Sequence, residues 1–305
     1  MSPSVVHLMH TEVEDVQFDE NTSLQDFRAD YTSLEVVSPT VSKLQSLDVL
    51  WITHSQLRNF SFDVLENSPV SLLYLVGNKI ESITISPGLV CCRNLEEIFL
   101  SDNHLKLLDF GTIALMSKLK AMFVEQNRLT DGVLNIPGMD QNQMLITAKG
   151  DTFCSWRRYY IEQDLNQEVQ TPNCTDYFAT LLAVHLSRNR FEHINFSIFS
   201  LMNSLNSLDL SKNQLVDMIA TEDQVPVRLS ELFGSNNNIS ELYLSPLLSM
   251  KAIYLLDNNL KTLNMSNLPR DLDYLNLINN PLNCNELPHM NKSTIIPLLG
   301  PYTEC

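Results

Sequence analysis

Residues 205–215 read LNSLDLSKNQL, with leucines at 205, 208, 210 and 215 and Asn213 between the last two. A helix would repeat its apolar residues at i, i+3, i+4 and i+7. Here Leu208 and Leu210 alternate about Asp209, which is the period of a strand. A strand this short cannot bury its apolar side alone. It needs copies of itself alongside, so the stretch predicts an internal repeat.

The copies are present. With Asn213 as position 0, apolar residues are sought at −8, −5, −3 and +2. The same spacing then appears at Thr32, Ser55, Asn78, Asn103, Asn127, Asp151, Asn189, Asn213, Asn237, Asn258 and Asn280. The steps are 23, 23, 25, 24, 24, 38, 24, 24, 21 and 22 residues. Of all the apolar slots in these units only Gln143 and Gly234 are not apolar, in a chain that is 44% hydrophobic. The register at Asp151 is carried by Ile146, Ala148 and Phe153.

The pattern L-x-x-L-x-L-x-x-N-x-L, seen again in LEEIFLSDNHL (95–105), LKAMFVEQNRL (119–129), LLAVHLSRNRF (181–191) and LDYLNLINNPL (272–282), resembles the leucine-rich repeat. The resemblance covers roughly residues 24–284. It implies an α/β solenoid, a horseshoe with a parallel β-sheet on the concave face and a convex side of irregular or short helical segments. In such a fold −5, −3 and +2 point into a continuous core. The chain then bends sharply, and an unpaired amide buried in that bend costs about 1–3 kcal/mol. Asparagine carries both a donor and an acceptor and can satisfy the bend.

At 305 residues the chain could form two ordinary domains, but the repeat argues for one elongated solenoid. The expected organisation is an N-terminal cap over 1–23, repeats over 24–283 with an insertion at about 154–180, and a C-terminal cap over 284–305. The formal charge is −16, which speaks against nucleic acid and anionic membranes. The acids Glu12, Glu14, Asp15, Asp19, Glu20, Asp26 and Asp30 cluster near the first repeat, where they would guard an open sheet edge. No apolar run is long enough to span a membrane. The N-terminus lacks the apolar core of a signal peptide, so either the signal is missing or the protein is cytosolic.

Six cysteines bear on that choice. Cys284 follows the last repeat in NPLNC and Cys305 ends the sequence; a bridge between them resembles the C-terminal caps of extracellular leucine-rich repeat proteins, although those caps commonly carry C-x-C. Cys154 and Cys174 bracket the one long step and suit a second bridge at the base of an excursion. The alternative for both pairs is buried free thiols. Cys92 holds a slot filled by Leu44, Met116, Met202 and Leu247 in other repeats, which predicts burial. Cys91 is then expected nearer the surface, where an exposed thiol could link two copies of the chain. Seven N-x-S/T sequons, at Asn21, Asn59, Asn173, Asn195, Asn238, Asn264 and Asn291, favour a secreted glycoprotein; Cys174 makes Asn173 the poorest acceptor.

The residue at −4 points onto the concave sheet. That column reads Arg28, Trp51, Tyr74, Phe99, Phe123, Thr147, His185, Asp209, Phe233, Tyr254 and Asn276. The aromatics predict a protein-binding surface. The competing reading is sheet stabilisation, because aromatics favour strands and stack on their neighbours. His185 and Asp209 fall side by side but face open solvent without an oxyanion site, which excludes hydrolytic machinery. They read as a plain polar contact or as a source of pH-dependent binding. No phosphate loop, dinucleotide fingerprint or metal motif is present, so no enzyme activity and no cofactor are expected.

The expected function is recognition of a protein partner on the concave face by Trp51, Tyr74, Phe99, Phe123, His185, Asp209, Phe233 and Tyr254. NPLNCNEL, the late partner cysteine and the irregular mid-solenoid repeat are similar to the repeat portion of mosquito leucine-rich immune proteins. That resemblance implies a secreted innate-immune factor. The alternatives are a receptor or adhesion ectodomain of a longer chain and an intracellular scaffold.

Overall fold

A computed structural model describes residues 3–86, 89, 91–135, 177–221 and 225–283. Eleven short strands stack into one sheet in chain order, each parallel to the next. They are Val5–Thr11, Asp26–Thr32, Val49–Thr53, Leu72–Tyr74, Glu97–Phe99, Ala121–Phe123, Ala183–His185, Ser207–Asp209, Glu231–Phe233, Ala252–Tyr254 and Tyr274–Asn276. Each strand is one rung of a leucine-rich repeat solenoid. The −8, −5, −3 and +2 residues pack behind the sheet: Leu205, Leu208, Leu210 and Leu215 are all 0% exposed. Gly234 leaves room at a −3 slot that Met218 and Leu255 fill, for a side chain there would meet both at under 3.0 Å.

The bend after each rung is closed by the register residue. Asn213 Nδ2 donates to the carbonyls of Leu210 and, one rung back, Leu186, both at 3.0 Å. Its Oδ1 accepts the amide of Phe191 at 3.2 Å. Asn103, Asn127, Asn189, Asn237 and Asn258 repeat this arrangement. In the first repeats Thr32 and Ser55 replace the amide with paired hydroxyls 2.7 Å apart. The residue before the register sits in the left-handed region in rung after rung, from His10 (φ 51) to Asn279 (φ 58).

Two expectations need correction. The register at Asp151 contributes no rung between Asn127 and Asn189. Ala121–Phe123 pairs directly with Ala183–His185, and the amide of Leu129 donates to Asn189 Oδ1 at 3.0 Å. Asp151 and Thr147 lie outside the described residues. The described residues run through the convex strand Asp131–Val133 to Asn135 and resume at Tyr177 and Phe178, both buried. Cys154, Cys174, Asn173 and Asn291 lie outside the described residues, as do Cys284, Cys305 and the C-terminal cap. The second correction concerns the N-terminus. Val5–Thr11 forms an eleventh rung within the stretch read as a cap, with Val6 and Leu8 packed toward the core.

The convex side carries short 3-10 turns and two-stranded parallel pairs. Phe62–Leu65, Phe110–Ile113 and Phe196–Phe199 each begin after a capping side chain. Ser61, Asp109 and Asn195 accept the amides of Asp63, Gly111 and Ser197, satisfying donors the turn itself leaves open. The phenylalanine that opens each turn is buried.

Cys92 is buried as expected, but Cys91 is equally buried, each 4% exposed, and the two adjacent sulfurs form a disulfide. Cys91 is therefore not an exposed thiol and offers no cross-link to a second copy. Alkylation of denatured, unreduced protein is expected to leave Cys91 and Cys92 unlabelled, with labelling only after reduction. Alkylation of either cysteine before reduction would exclude the bond.

Candidate binding face on the concave sheet

Because every rung pairs in register, the −4 residues stand shoulder to shoulder. Trp51 faces Tyr74, then Phe99, Phe123, His185, Asp209, Phe233 and Tyr254 follow in unbroken order. All eight predicted residues thus share one column, and each is half-buried. The rings stack. Centroid distances run 4.3 Å for Trp51–Tyr74, 4.2 Å for Tyr74–Phe99, 4.5 Å for Phe99–Phe123 and 4.7 Å for Phe123–His185. Interplanar angles stay within 25°. Direct pairing of Ala121–Phe123 with Ala183–His185 is what lets His185 complete this ladder. A second stack joins Phe233 and Tyr254 at 4.6 Å, with Tyr274 tilted beyond it.

The ladder is capped at its N-terminal end. The Arg28 guanidinium lies 5.2 Å from the Trp51 ring centre and pairs with Asp26 at 2.7 Å. The hydrogen bond to Asp26 raises the Arg28 pKa further. Burial, and secondarily the charge of Glu97, pushes the Tyr74 hydroxyl above its ordinary value. His185 and Asp209 are neighbours but share no hydrogen bond: the imidazole stacks on Phe123, and Asp209 Oδ1 accepts the amide of Ser211 at 2.9 Å.

A feature missed in the sequence lies on the rim. His10, Tyr31 and His54 occupy the left-handed position of successive rungs and stack at 4.8 and 4.6 Å. His54 overlies Gly77 (φ +72), where a Cβ would approach its ring to 2.6 Å. His54 Nδ1 lies 3.2 Å from Asp30, which also accepts Thr53 Oγ1, itself the acceptor of Trp51 Nε1. Burial raises the Asp30 pKa, but the hydrogen bonds from Thr53 and His54 outweigh it and hold the carboxyl below its ordinary value. The chain of bonds fixes the Trp51 indole and ties the concave ladder to the rim stack. The signal in the sequence was the position one before the register, read as a column.

The described sequons avoid this face. Asn59 belongs to a convex strand, and Asn195 and Asn264 cap convex turns. Asn21 accepts the amides of Ser23 and Leu24 before the second rung, and Asn238 is exposed just past its bend. Among the described residues no group of His, Cys, Asp or Glu side chains is arranged to hold a metal, and no helix is long and apolar enough to cross a membrane.

No family profile matches the chain. The transforming growth factor beta activator LRRC33 of Danio rerio is 25% identical over 232 residues, which are 75% of this chain and 32% of that protein. The chain thus spans about a third of that relative's length. Among solved structures, the leucine-rich repeat domain of APL1B superposes with a TM-score of 0.54 at 17% identity, covering 82% of this chain and 62% of that one. A leucine-rich repeat protein from Bacteroides eggerthii gives 0.58 at 16% identity, with 92% and 44% covered. A structure titled as an octameric complex of latrophilin 3, Unc5D and the leucine-rich repeats of FLRT2 gives 0.59 at 17% identity, with 86% and 70% covered. These likenesses carry the fold.

Proposed function

We propose that the chain is a non-enzymatic protein-recognition module that works outside the cell, as a secreted binding protein of innate-immune type, and engages its partner with the concave face. The observation that carries this reading is the ladder from Trp51 to His185, a continuous half-buried aromatic strip fixed in place by stacking and by the Arg28 and Thr53 contacts. Aromatic side chains pre-ordered in this way bind with little further loss of conformational freedom. Supporting it, the described sequons leave the concave strands clear, and a repeat domain such as that of APL1B offers the same scaffold. The Cys91–Cys92 bond and the bridges proposed for Cys154–Cys174 and Cys284–Cys305 suit an oxidising compartment.

A second reading is a receptor or adhesion ectodomain. It is favoured by the share of the LRRC33 protein that the chain spans and by the FLRT2 repeats, found in a complex with latrophilin 3 and Unc5D. Both readings place recognition on the same face. An intracellular scaffold would leave the cysteines as thiols and the sequons without glycan.

The test is a Trp51→Ala/Phe99→Ala double variant. It is expected to keep the circular dichroism of the wild type and to lose at least about tenfold in affinity for partners the wild type retains from its native extracellular fluid, as truncation of interface aromatics does. Identical retention by the folded variant would reject the concave face as the binding surface.

A further inference from the structure

We infer that the N-terminal half of the concave face, from the rung of Arg28 to that of Phe123, is built for a protein segment that presents a strip of aliphatic side chains bordered by lysine or arginine. This rests on the concave-face reading above and adds the chemistry of the partner.

Two observations carry it. The first is the orientation of the rings. Each interior ring of the ladder has a neighbour on both faces, at 4.2–4.7 Å. The faces, which would attract cations, are occupied; at the Trp51 end Arg28 already sits on the open side. What remains for a partner is a row of ring edges, whose C–H groups carry the positive part of the quadrupole. Edges of this kind pack against aliphatic groups and give an incoming ammonium or guanidinium nothing to bind.

The second is the frame around the rings. Within residues 25–30, 48–53, 71–76, 96–101 and 120–125 the acids are Asp26, Asp30, Asp48, Glu96, Glu97 and Glu125, and the bases are Arg28 and Lys120. Both bases are consumed, Arg28 by Asp26 and Lys120 by Glu96. Asp30, Asp48, Glu97 and Glu125 are left without a lysine or arginine partner among the described residues. Asp30 meets His54, while Asp48 and Glu125 accept hydroxyls from Ser71 and Ser101. Glu97 stands on one border of the ladder, beside Leu72 and Ala121, and Glu125 on the other, one position past the core residue Val124. Lys79 and Arg128 lie beyond the bends, outside these strands. An apolar strip widened by Val49, Leu72 and Val76 and flanked by Asp30, Glu97 and Glu125 is complementary to an apolar strip flanked by basic groups. The borders would steer encounter and reject acidic competitors, while the strip supplies the buried contact.

The C-terminal stack of Phe233 and Tyr254 has Glu231 on one border but only Ser235 and Leu256 on the other, and Asp209 interrupts the rings.

The test uses the full chain and a displayed library of random peptides, panned against wild type. Selected peptides are measured against Glu97→Gln/Glu125→Gln, against Trp51→Ala/Phe99→Ala, and against Glu231→Gln as a control at the C-terminal stack. The expected result is enrichment of peptides with lysine or arginine on either side of an aliphatic run. Their affinity should fall at least about tenfold with Glu97→Gln/Glu125→Gln and also with added salt, but not with Glu231→Gln. Peptides that need Trp51 and Phe99 yet ignore the carboxamides and salt would overturn the inference and leave the concave reading standing. Peptides indifferent to both double variants would overturn both. No enrichment, or enrichment of acidic peptides, also overturns the inference.

Discussion

Asn213→Leu is expected to destabilise the protein by about 2–6 kcal/mol, about 1–3 for an unpaired buried N–H and about 1–3 for a side chain forced into a polar slot, although leucine is the commonest neighbour in the repeat and the site is almost fully enclosed. The reason lies in who shares bonds with whom. The Leu186 carbonyl accepts from Asn189 as well as Asn213, and the Leu210 carbonyl from Asn237 as well as Asn213. Removing the Asn213 amide therefore weakens two carbonyls without orphaning either. The Phe191 amide is different: Asn213 Oδ1 is its acceptor, and Phe191 is 1% exposed. That one N–H is left buried and unpaired, and the leucine side chain must also fit a polar slot. The injury thus falls mainly one repeat upstream of the substitution. Hydrogen exchange should show the Phe191 amide losing protection first, with the rungs of Leu186 and Leu210 following, since repeats couple to their neighbours. A melting temperature equal to wild type, or unchanged protection at Phe191, would refute this role for the asparagine ladder.

The contrast between Asn213 and Asp151 shows where the sequence was readable and where it misled. At Asn213 five features agree: four leucines in the right slots and an amide that can both donate and accept. At Asp151 one of the four slots is Gln143, and the register residue is a carboxylate that cannot donate to the paired carbonyls. In a chain this rich in apolar residues the spacing of Ile146, Ala148 and Phe153 is weak evidence, and the rungs on either side of it pair with each other directly. The opposite error occurred at Thr11. Its rung is real, but Pro3 occupies the −8 slot and acids follow at Glu12 and Glu14, so the unit looked like a cap. The concave column was legible because a rung fixes which side chains face out. The length of the ladder was not, because His185 reaches Phe123 only through the direct pairing of two strands 62 residues apart in sequence. Cys91 illustrates a further limit. Adjacent cysteines say nothing about burial, and only the packing around Cys92, whose sulfur approaches the Phe62 carbonyl, shows both inside.

Phe199→Ala should cost about 3–5 kcal/mol, the usual loss for a large aromatic removed from a closed core. Its second effect is on cooperativity. Asn59–Ser61 pairs with Ser82–Thr84, Leu107–Asp109 with Asp131–Val133, and Asp217–Ile219 with Glu241–Tyr243. Among the described residues, no convex strand pairing crosses from the Asn127 repeat to the Asn189 repeat; the same holds from Asn78 to Asn103 and from Asn189 to Asn213, but only the Asn127–Asn189 junction also has 62 residues between its registers. There the convex side is joined by packing instead. Phe199 is 0% exposed and meets Phe110 edge-on at 5.5 Å. Gly132 lets Phe110 and Ile198 close over it, for a Cβ there would lie 3.1 Å from Ile198 and 3.4 Å from Phe110. These contacts join the repeats on either side of residues 136–176. In a repeat array stability is the sum of unit terms and interface terms, so weakening one interface separates the blocks on either side. The variant is therefore expected to unfold in two steps, with protection in residues 177–283 lost apart from protection in residues 26–135. Loss of a comparable phenylalanine within one block, Phe62→Ala, should lower stability by a similar amount while keeping a single transition. If Phe199→Ala instead melts in one step within about a degree of wild type, the ring packing is not what holds the two blocks together.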